Sequence, residues 1–365
     1  MNQILVVNSG SSSVKYQLID IDSQVATTTG LIERVQNHSD AFVQMLTELG
    51  DAKPVAVGHR VVHGGSRFSQ PTLIDDEVLL AIDELSPLAP LHNPGNLAGI
   101  RAAKAAYPHL PHVAVFDTAF HQTMPASSFR YAIDAALESK FQIRRYGFHG
   151  SSHSYVARKA AEVLGKPANQ FTGVILHLGN GASACAIKNG KSFDTSMGLT
   201  PLQGLVMGSR SGDIDPAIIA YLARQASMSI DEIDASLNKN SGLLGMTGDA
   251  DLRDVISRSD AGDQVATDAL DVYAQRVKHY IGAYIAELGA IDAVVFTAGV
   301  GENSWQMRER IMRKLEHLGL ELSNDANQVT NREARSIARA GSRVQILVIP
   351  TNEELEIAIQ TAALI

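Results

Sequence analysis

The chain is short of several things, and each shortage narrows what it can be. Its 365 residues include one cysteine, Cys185, so no internal disulfide can form and at most one thiolate could serve a metal. A reducing, cytoplasmic setting is expected, with Cys185 as a small buried apolar residue. No stretch approaches the roughly 20 apolar residues needed to cross a bilayer, and the opening MNQILVVNSG has no basic flank before its short apolar run. Neither export nor membrane anchoring is predicted. Cations are also scarce, with 31 Lys and Arg against 39 Asp and Glu, a formal charge of -8 and a pI near 5.8. With no Lys/Arg-rich run either, a general affinity for nucleic acid is not expected, and any anionic ligand must be met by individually placed cations.

What is present points to α/β architecture in two domains, a length of 365 residues being too great for one ordinary core. Two domains imply a cleft. Strand-length apolar runs at 4–7, 14–21, 56–62, 112–116, 173–178, 293–298 and 345–350 alternate with amphipathic helical patterns from Asp76 to Leu85, Ser152 to Leu164, Asp263 to Leu288 and Ser304 to Leu318. The chain also resembles itself: ILVVNSGSSSVKYQLID (4–20) and ILHLGNGASACAIKNGK (175–191) share a layout at a constant offset of 171 residues, aligning Gly10 with Gly181 and Ser12 with Ser183. Each has an apolar strand, a Gly/Ser/Asn turn and an alternating strand, so the domains read as copies of one unit. Glycine-rich sequence at Tyr146 to Ser152 is the expected hinge, giving residues 1–148 plus about 354–365 as one domain and 149–353 as the other.

Three turns are suited to phosphate. NSGSSSVK (8–15) offers backbone N–H groups at Gly10, four hydroxyls, the Asn8 amide and the Lys15 ammonium. Its spacing is not that of a P-loop, and a strand rather than a helix follows. HLGNGAS (177–183) is a second turn, and GVGEN (299–303), between a strand and a helix, is a third. Each alone could be a plain tight turn, and GDADLR (248–253) serves equally as a nucleotide contact through Asp251 and Arg253 or as a helix cap. GHRVVHGG sets Arg60 near the end of a strand, and GSRSG sets Arg210 between glycines. Either fork could grip carboxylate or phosphate oxygens, or make a surface salt bridge. His59 with His63 and His149 with His153 have four-residue spacing, but HGSSH lacks the glutamate of a zinc protease and HRVVH lies in β-rich sequence, so zinc is disfavoured. FDTAFH (116–121) puts Asp117 at the C-terminal end of an apolar strand, and Glu353 and Glu354 follow the last strand, where a glutamate could cap the terminal helix or reach magnesium.

Together NSGSSSVKYQL, GHRVVHGG, APLHNPGN, FDTAFHQTMP, YGFHGSSH, HLGNG, DTSMGLTPLQGLVMGSRSGDIDP, FTAGVGEN and IPTNEEL resemble the acetate and propionate kinase family, in its order and over nearly the whole chain. The resemblance implies two duplicated ribonuclease-H-like domains of the actin, Hsp70 and sugar-kinase type flanking an active-site cleft. It also implies a homodimer that uses ATP and ADP with magnesium, manganese being able to substitute, and that interconverts acetate and acetyl phosphate. Asn8 and Glu353 would hold the metal. Ser11, Ser13 and Lys15 would steady phosphate, and Arg60 and Arg210 would bind the carboxylate and the phosphoryl in flight. His149 would donate to the transition state, and Asp117 matches the family's catalytic acid. His177, Leu178, Gly179, Asn180 and Gly181, with Asp251, Leu252 and Arg253 and with Gly299, Val300, Gly301, Glu302 and Asn303, would cradle ATP. Val62, Leu91, Phe148 and Pro201 would wall the acyl pocket, with His92 in the same substrate site. The chain is shorter than the family pattern between Thr29 and Val55. A carboxylic acid with a pKa of about 4 to 5 is already ionised at pH 7, so Asp117 is expected to orient an arginine or the metal shell rather than take a proton. Propionate or butyrate kinases differ in pocket size alone. An actin-like ATPase that assembles or clamps would share the phosphate turns but has no use for GHRVVHGG and FDTAFH.

Overall fold

The computed structural model describes every residue except Met1, Ser11, Ser12, Gln36, Asp51 and Leu91, so the roles expected of Ser11 and Leu91 lie outside the described residues. The chain divides into two compact units. One holds 1–122, 148–155 and 352–365, and the other 123–147 and 156–351.

The first unit is built on strands β1 (Gln3–Ser9), β2 (Ser13–Asp20), β3 (Val25–Glu33), β4 (Ala56–Val61), β5 (Thr72–Leu73) and β6 (His112–Phe116), in the order β3-β2-β1-β4-β6-β5. The second has β7 (Gly173–Leu178), β8 (Ala182–Lys188), β9 (Lys191–Thr195), β10 (Ala293–Thr297), β11 (Arg335–Ser336) and β12 (Gln345–Val348), in the order β9-β8-β7-β10-β12-β11. The two orders are identical once the strands are numbered within each unit. In both, an antiparallel meander of three strands is followed by two strands parallel to the first, and a short antiparallel strand closes the far edge. The self-resemblance read from two short segments therefore extends to whole sheets.

The central strands read as unbroken apolar runs because both faces of each are covered. Ile4 to Val7, Val174 to Leu176 and Val294 to Phe296 are all buried. Helices of the first unit include α1 (His38–Leu49), α2 (Asp76–Glu84) and α3 (Asn93–Ala106). The second contains α4 (Ala126–Phe129) and α5 (Ala135–Phe141), and the chain passes from the first unit to the second within α6 (Gly150–Val163). The second unit continues with α7 (Ala217–Gln225), α8 (Ile230–Lys239), α9 (Gly242–Thr247), α10 (Leu252–Asp260), α11 (Gln264–Leu288), α12 (Ala298–Asn303), α13 (Trp305–Met312) and α14 (Asn324–Gln328). The closing helix, α15 (Glu353–Ala362), returns to the first unit and packs Leu355, Ile357, Ala358 and Thr361 on the β1–β4 side of its sheet.

Three local expectations change. The helix read from Ser304 to Leu318 stops at Met312: Arg313 turns extended, Lys314 takes φ 68°, and Glu316–Leu318 resumes as a 3₁₀ turn. This reversal buries Leu315 and Leu320 and lets Leu322 bridge Ala338, and the 3₁₀ turn prolongs the helical pattern across the break. GVGEN is not a turn before a helix but part of α12, which leaves β10 directly through Ala298 at φ 63°. The cap of α15 is Asn352, which accepts from the Leu355 amide at 3.0 Å, so neither glutamate is needed for capping.

Candidate active site

In the first unit, the polar centre is assembled at the strand ends of the sheet. Arg60, on β4, donates through Nε to Asp117 Oδ1 at 3.0 Å and through Nη2 to Asp117 Oδ2 at 2.6 Å, a two-pronged pairing. Its Nη1 donates to Asn8 Oδ1, on β1, at 3.4 Å, and Glu353, at the start of α15, lies 4.0 Å from Nε. Asp117 is 1 % exposed. Burial raises its pKa above the usual carboxylate value; Arg60 pulls it down, but not far enough to cancel that. Burial alone would lower the Arg60 pKa, but Asp117, Glu353 and Glu354 outweigh it and hold the guanidinium charged. Lys15, on β2, pairs with Glu354 at 2.5 Å.

Around this centre stand three carboxylates, Asp117, Glu353 and Glu354, against two cations, Arg60 and Lys15. The excess of hard oxygen donors, including the Asn8 amide oxygen, suits a divalent cation that keeps water and substrate oxygens in its shell. Among the described residues, no group of three His, Cys, Asp or Glu forms a self-sufficient metal site. His59 meets His112 at 2.9 Å, His63 lies edge-on to Phe148, and His153 lies edge-on to His121.

His149 adopts φ 57°, a left-handed conformation that costs an ordinary residue roughly 1–2 kcal/mol. Its place is fixed by its neighbours: the Gly150 amide donates to the Asp117 carbonyl at 3.0 Å and His153 N–H to the His149 carbonyl at 2.9 Å. A Cβ at position 150 would stand 2.1 Å from that Asp117 carbonyl oxygen, so only glycine allows the approach. The geometry thus ties His149 to the segment that carries Asp117.

Val62 is buried just beyond β4, and the Asn96 side chain, on α3, accepts from its amide at 3.0 Å. Asn93, one turn earlier on α3, accepts from His63 N–H and donates to the His63 carbonyl, while Asn96 also donates to the Ser9 carbonyl. Thr118 accepts from Gly64 N–H. These holders of the Arg60–Val62 segment were missed in the sequence. The signal was NPGN, whose two asparagines lie three apart and so share a helical face. Phe148 is buried and His92 precedes α3 as its N-cap residue. Ser13 opens β2, and its carbonyl accepts from Gly10 N–H at 2.8 Å.

The second unit holds a pocket of about 700 Å³. Eight expected residues line it: Gly179 and Asn180 from the β7–β8 turn, Asp251, Leu252 and Arg253 at the start of α10, and Gly299, Val300 and Asn303 from α12. His177, Leu178, Gly181, Gly301 and Glu302 do not. His177 and Leu178 are buried in the β7 end of the sheet, Gly181 shapes the turn by accepting from Gly179 N–H, Gly301 is buried in α12, and Glu302 accepts from Thr351 N–H. Asp251 caps α10 and pairs with Arg253, so the helix-cap reading of GDADLR is observed, while the segment also lines the pocket. Gly208, Leu243, Ala250, Ile256, Tyr273, Ser304 and Gln306 complete the lining. Gly208 was legible as the first glycine of GSRSG: a Cβ there would come within 1.9 Å of Asn180 Oδ1. Glycine turns, an N-terminal helical turn and an apolar wall from Leu243 and Ile256 suit a nucleotide.

Arg210 differs from Arg60. It donates to the Pro201 carbonyl at 3.2 Å, lies 3.7 Å from Met207 sulfur, and pairs with no carboxylate among the described residues. Burial lowers its pKa, leaving a half-buried cation suited to an incoming anion.

The chain matches the acetokinase family over residues 3–54 and 50–359, the join falling in the segment that the sequence marks as shortened. It is 54 % identical over 389 aligned residues to the acetate kinase of Leifsonia xyli subsp. xyli, covering 99 % of this chain and 98 % of that one. Among solved structures, it superposes on Porphyromonas gingivalis acetate kinase with a TM-score of 0.96 at 38 % identity, covering 100 % of this chain and 99 % of the other. A propionate kinase from Francisella tularensis subsp. tularensis gives 0.95 at 43 %, with both chains fully covered. Fold and relatives together define a kinase, an enzyme that transfers a phosphoryl group. Within that class the chain belongs to the acetokinase family.

Proposed function

We propose that the protein catalyses reversible, magnesium-dependent transfer of the γ-phosphoryl group of ATP to acetate, giving acetyl phosphate and ADP. The observation that carries this reading is the Arg60 fork, fixed by buried Asp117 with oxygen donors Asn8 and Glu353 beside it. Those donors would hold magnesium, or manganese in its place, and the ion would supply positive charge against the phosphates. ATP would occupy the second unit's pocket, its phosphates against the Gly179–Asn180 turn and the start of α12.

In the reaction an acetate oxygen attacks the γ-phosphorus as the bond to ADP breaks on the opposite side. No proton needs to move, because acetate is already a carboxylate at pH 7. Nor does a phosphoenzyme form. Charge spreads over three equatorial oxygens, so catalysis is chiefly positioning and electrostatic stabilisation. Arg60 and Arg210 bind the carboxylate and the phosphoryl in flight, His149 donates to an equatorial oxygen, and Asp117 holds the Arg60 fork in plane. Lys15 and Ser13 steady phosphate, while Val62, Phe148 and Pro201 wall the acyl group and His92 lies in the same substrate site.

A hydroxylamine trap for acyl phosphate, run with ATP and acetate, propionate or butyrate, tests the reading. Acetyl hydroxamate in the largest yield is expected. The Francisella likeness gives propionate as the second reading, and propionyl hydroxamate in excess would favour it. ATP hydrolysis with no acyl phosphate from any acid would favour an actin-like ATPase. A cytoplasmic homodimer is proposed with it. The apolar helix α7 has no buried residue, which suits a second copy, and the only cysteine is a buried free thiol.

A further inference from the structure

Helices α11 and α13 line an open groove of about 560 Å³, within the roughly 300–1,000 Å³ typical of small-ligand sites. Asp271, Gln275 and Lys278 recur on one face of α11, while Arg310 and Arg313 come from α13 and its end. Arg276 also lines it. Asp271 is the only carboxylate lining it among the described residues, and Arg310 takes it at 2.6 Å. Arg276 lies 3.7 Å from Asp213. Lys278 and Arg313 are left without an ion pair among the described residues, a concentration of positive charge that is unusual in a chain of net charge -8. Arg313 stands at the C-cap position, where α13 ends. Burial and the nearby Arg313 and Lys314 lower the pKa of Lys278 despite Asp271 and Glu316. A bound anion would relieve that repulsion.

Both helices also reach the nucleotide pocket, α11 through Tyr273 and α13 through Gln306 and its cap Ser304. We propose that the α11–α13 groove is a regulatory site for a small dianion of the phosphate monoester class, and that its occupation changes nucleotide affinity. The two cations without an ion pair set the charge of the ligand, and the pocket volume sets its size. The coupling rests on the nucleotide reading of the larger pocket, whereas the binding does not.

The test uses the full chain saturated with magnesium and a non-hydrolysable ATP analogue, whose own binding checks the nucleotide reading separately. Glycerol 2-phosphate is titrated calorimetrically, with succinate as a dicarboxylate arm and glycerol as the neutral control. Glycerol 2-phosphate is expected to bind at one site per chain, more tightly than succinate, with no heat from glycerol. It should shift KM for ATP at least twofold. In the Lys278→Gln, Arg313→Gln double variant both effects should disappear, while kcat without glycerol 2-phosphate stays native. Absence of binding, undiminished binding in the variant, tighter binding of succinate, or binding that leaves KM for ATP unmoved would overturn the proposal.

Discussion

Replacing Asp117 with asparagine keeps the shape of the side chain and removes only its charge. In the native site the carboxylate accepts both Nε–H and Nη2–H of Arg60 and is 1 % exposed. An asparagine oxygen can accept one of these, but its amide group then points a donor at the other. Breaking a buried ion pair by removing one partner costs about 3–5 kcal/mol, because the remaining charge keeps its burial without its compensation. The same loss frees the Arg60 plane to rotate. If Arg60 stabilises the transferred group, kcat should fall on the order of 100- to 1000-fold, the usual cost of losing one preorganised donor. KM for acetate should change much less, because an unpaired guanidinium still attracts a carboxylate. Steady-state kinetics of Asp117→Asn, Arg60→Ala and the double variant, with urea unfolding of each, measure both quantities. The double variant should be no slower than Arg60→Ala, since residues acting as a unit are not additive. Losses that multiply, or a single variant within threefold of native kcat, would refute the argument.

Arg210→Gln should lower kcat by a similar 100- to 1000-fold, yet leave the melting temperature unchanged or raised, because no carboxylate loses a partner; a loss below tenfold removes Arg210 from the anion site. Gly208→Ala forces a Cβ against Asn180, and at the roughly 1–3 kcal/mol of overpacking should raise KM for ATP about fivefold to a hundredfold, measured against KM for acetate as an internal control. Val62→Ala should raise kcat/KM for propionate relative to acetate, the added room being worth roughly 1–3 kcal/mol, and an unchanged ratio would move the acyl wall elsewhere. Burial lowers the pKa of both His59 and His112, so the unfolded chain binds protons below about pH 6.5 that the native one refuses. Stability is then complete above about pH 6.5 and lost as pH falls through it, by up to about 1.4 kcal/mol per unit per ring. Urea unfolding between pH 7.5 and 5.5 should show this slope, and His112→Gln should flatten it.

Much of this protein is written locally. Apolar runs bounded by Gly, Ser and Asn mark the central strands, since a strand covered on both faces favours apolar side chains and admits polar ones chiefly near its ends. The two strand–turn–strand segments announce a duplication, because hairpin register depends on nearby residues. Arg60, Asp117, Asn8 and Glu353 could be singled out one at a time, each near the end of an apolar run. Their convergence could not: Asp117 reaches Arg60 only because β6 lies parallel to β4, and Glu353 only because α15 returns to that sheet after the whole second unit has been threaded. Likewise, 123–147 joins the second unit through the Thr123 hydroxyl donating to the Ser192 carbonyl and Tyr131 donating to Gln203, contacts with no local pattern. The difference between the two arginines was equally hidden, because charge compensation depends on distances across the fold. Sequence determined which chemical groups are available and which segments become strands; tertiary structure decided which of the two arginines is paired with a carboxylate, which has none among the described residues, and where α13 had to end.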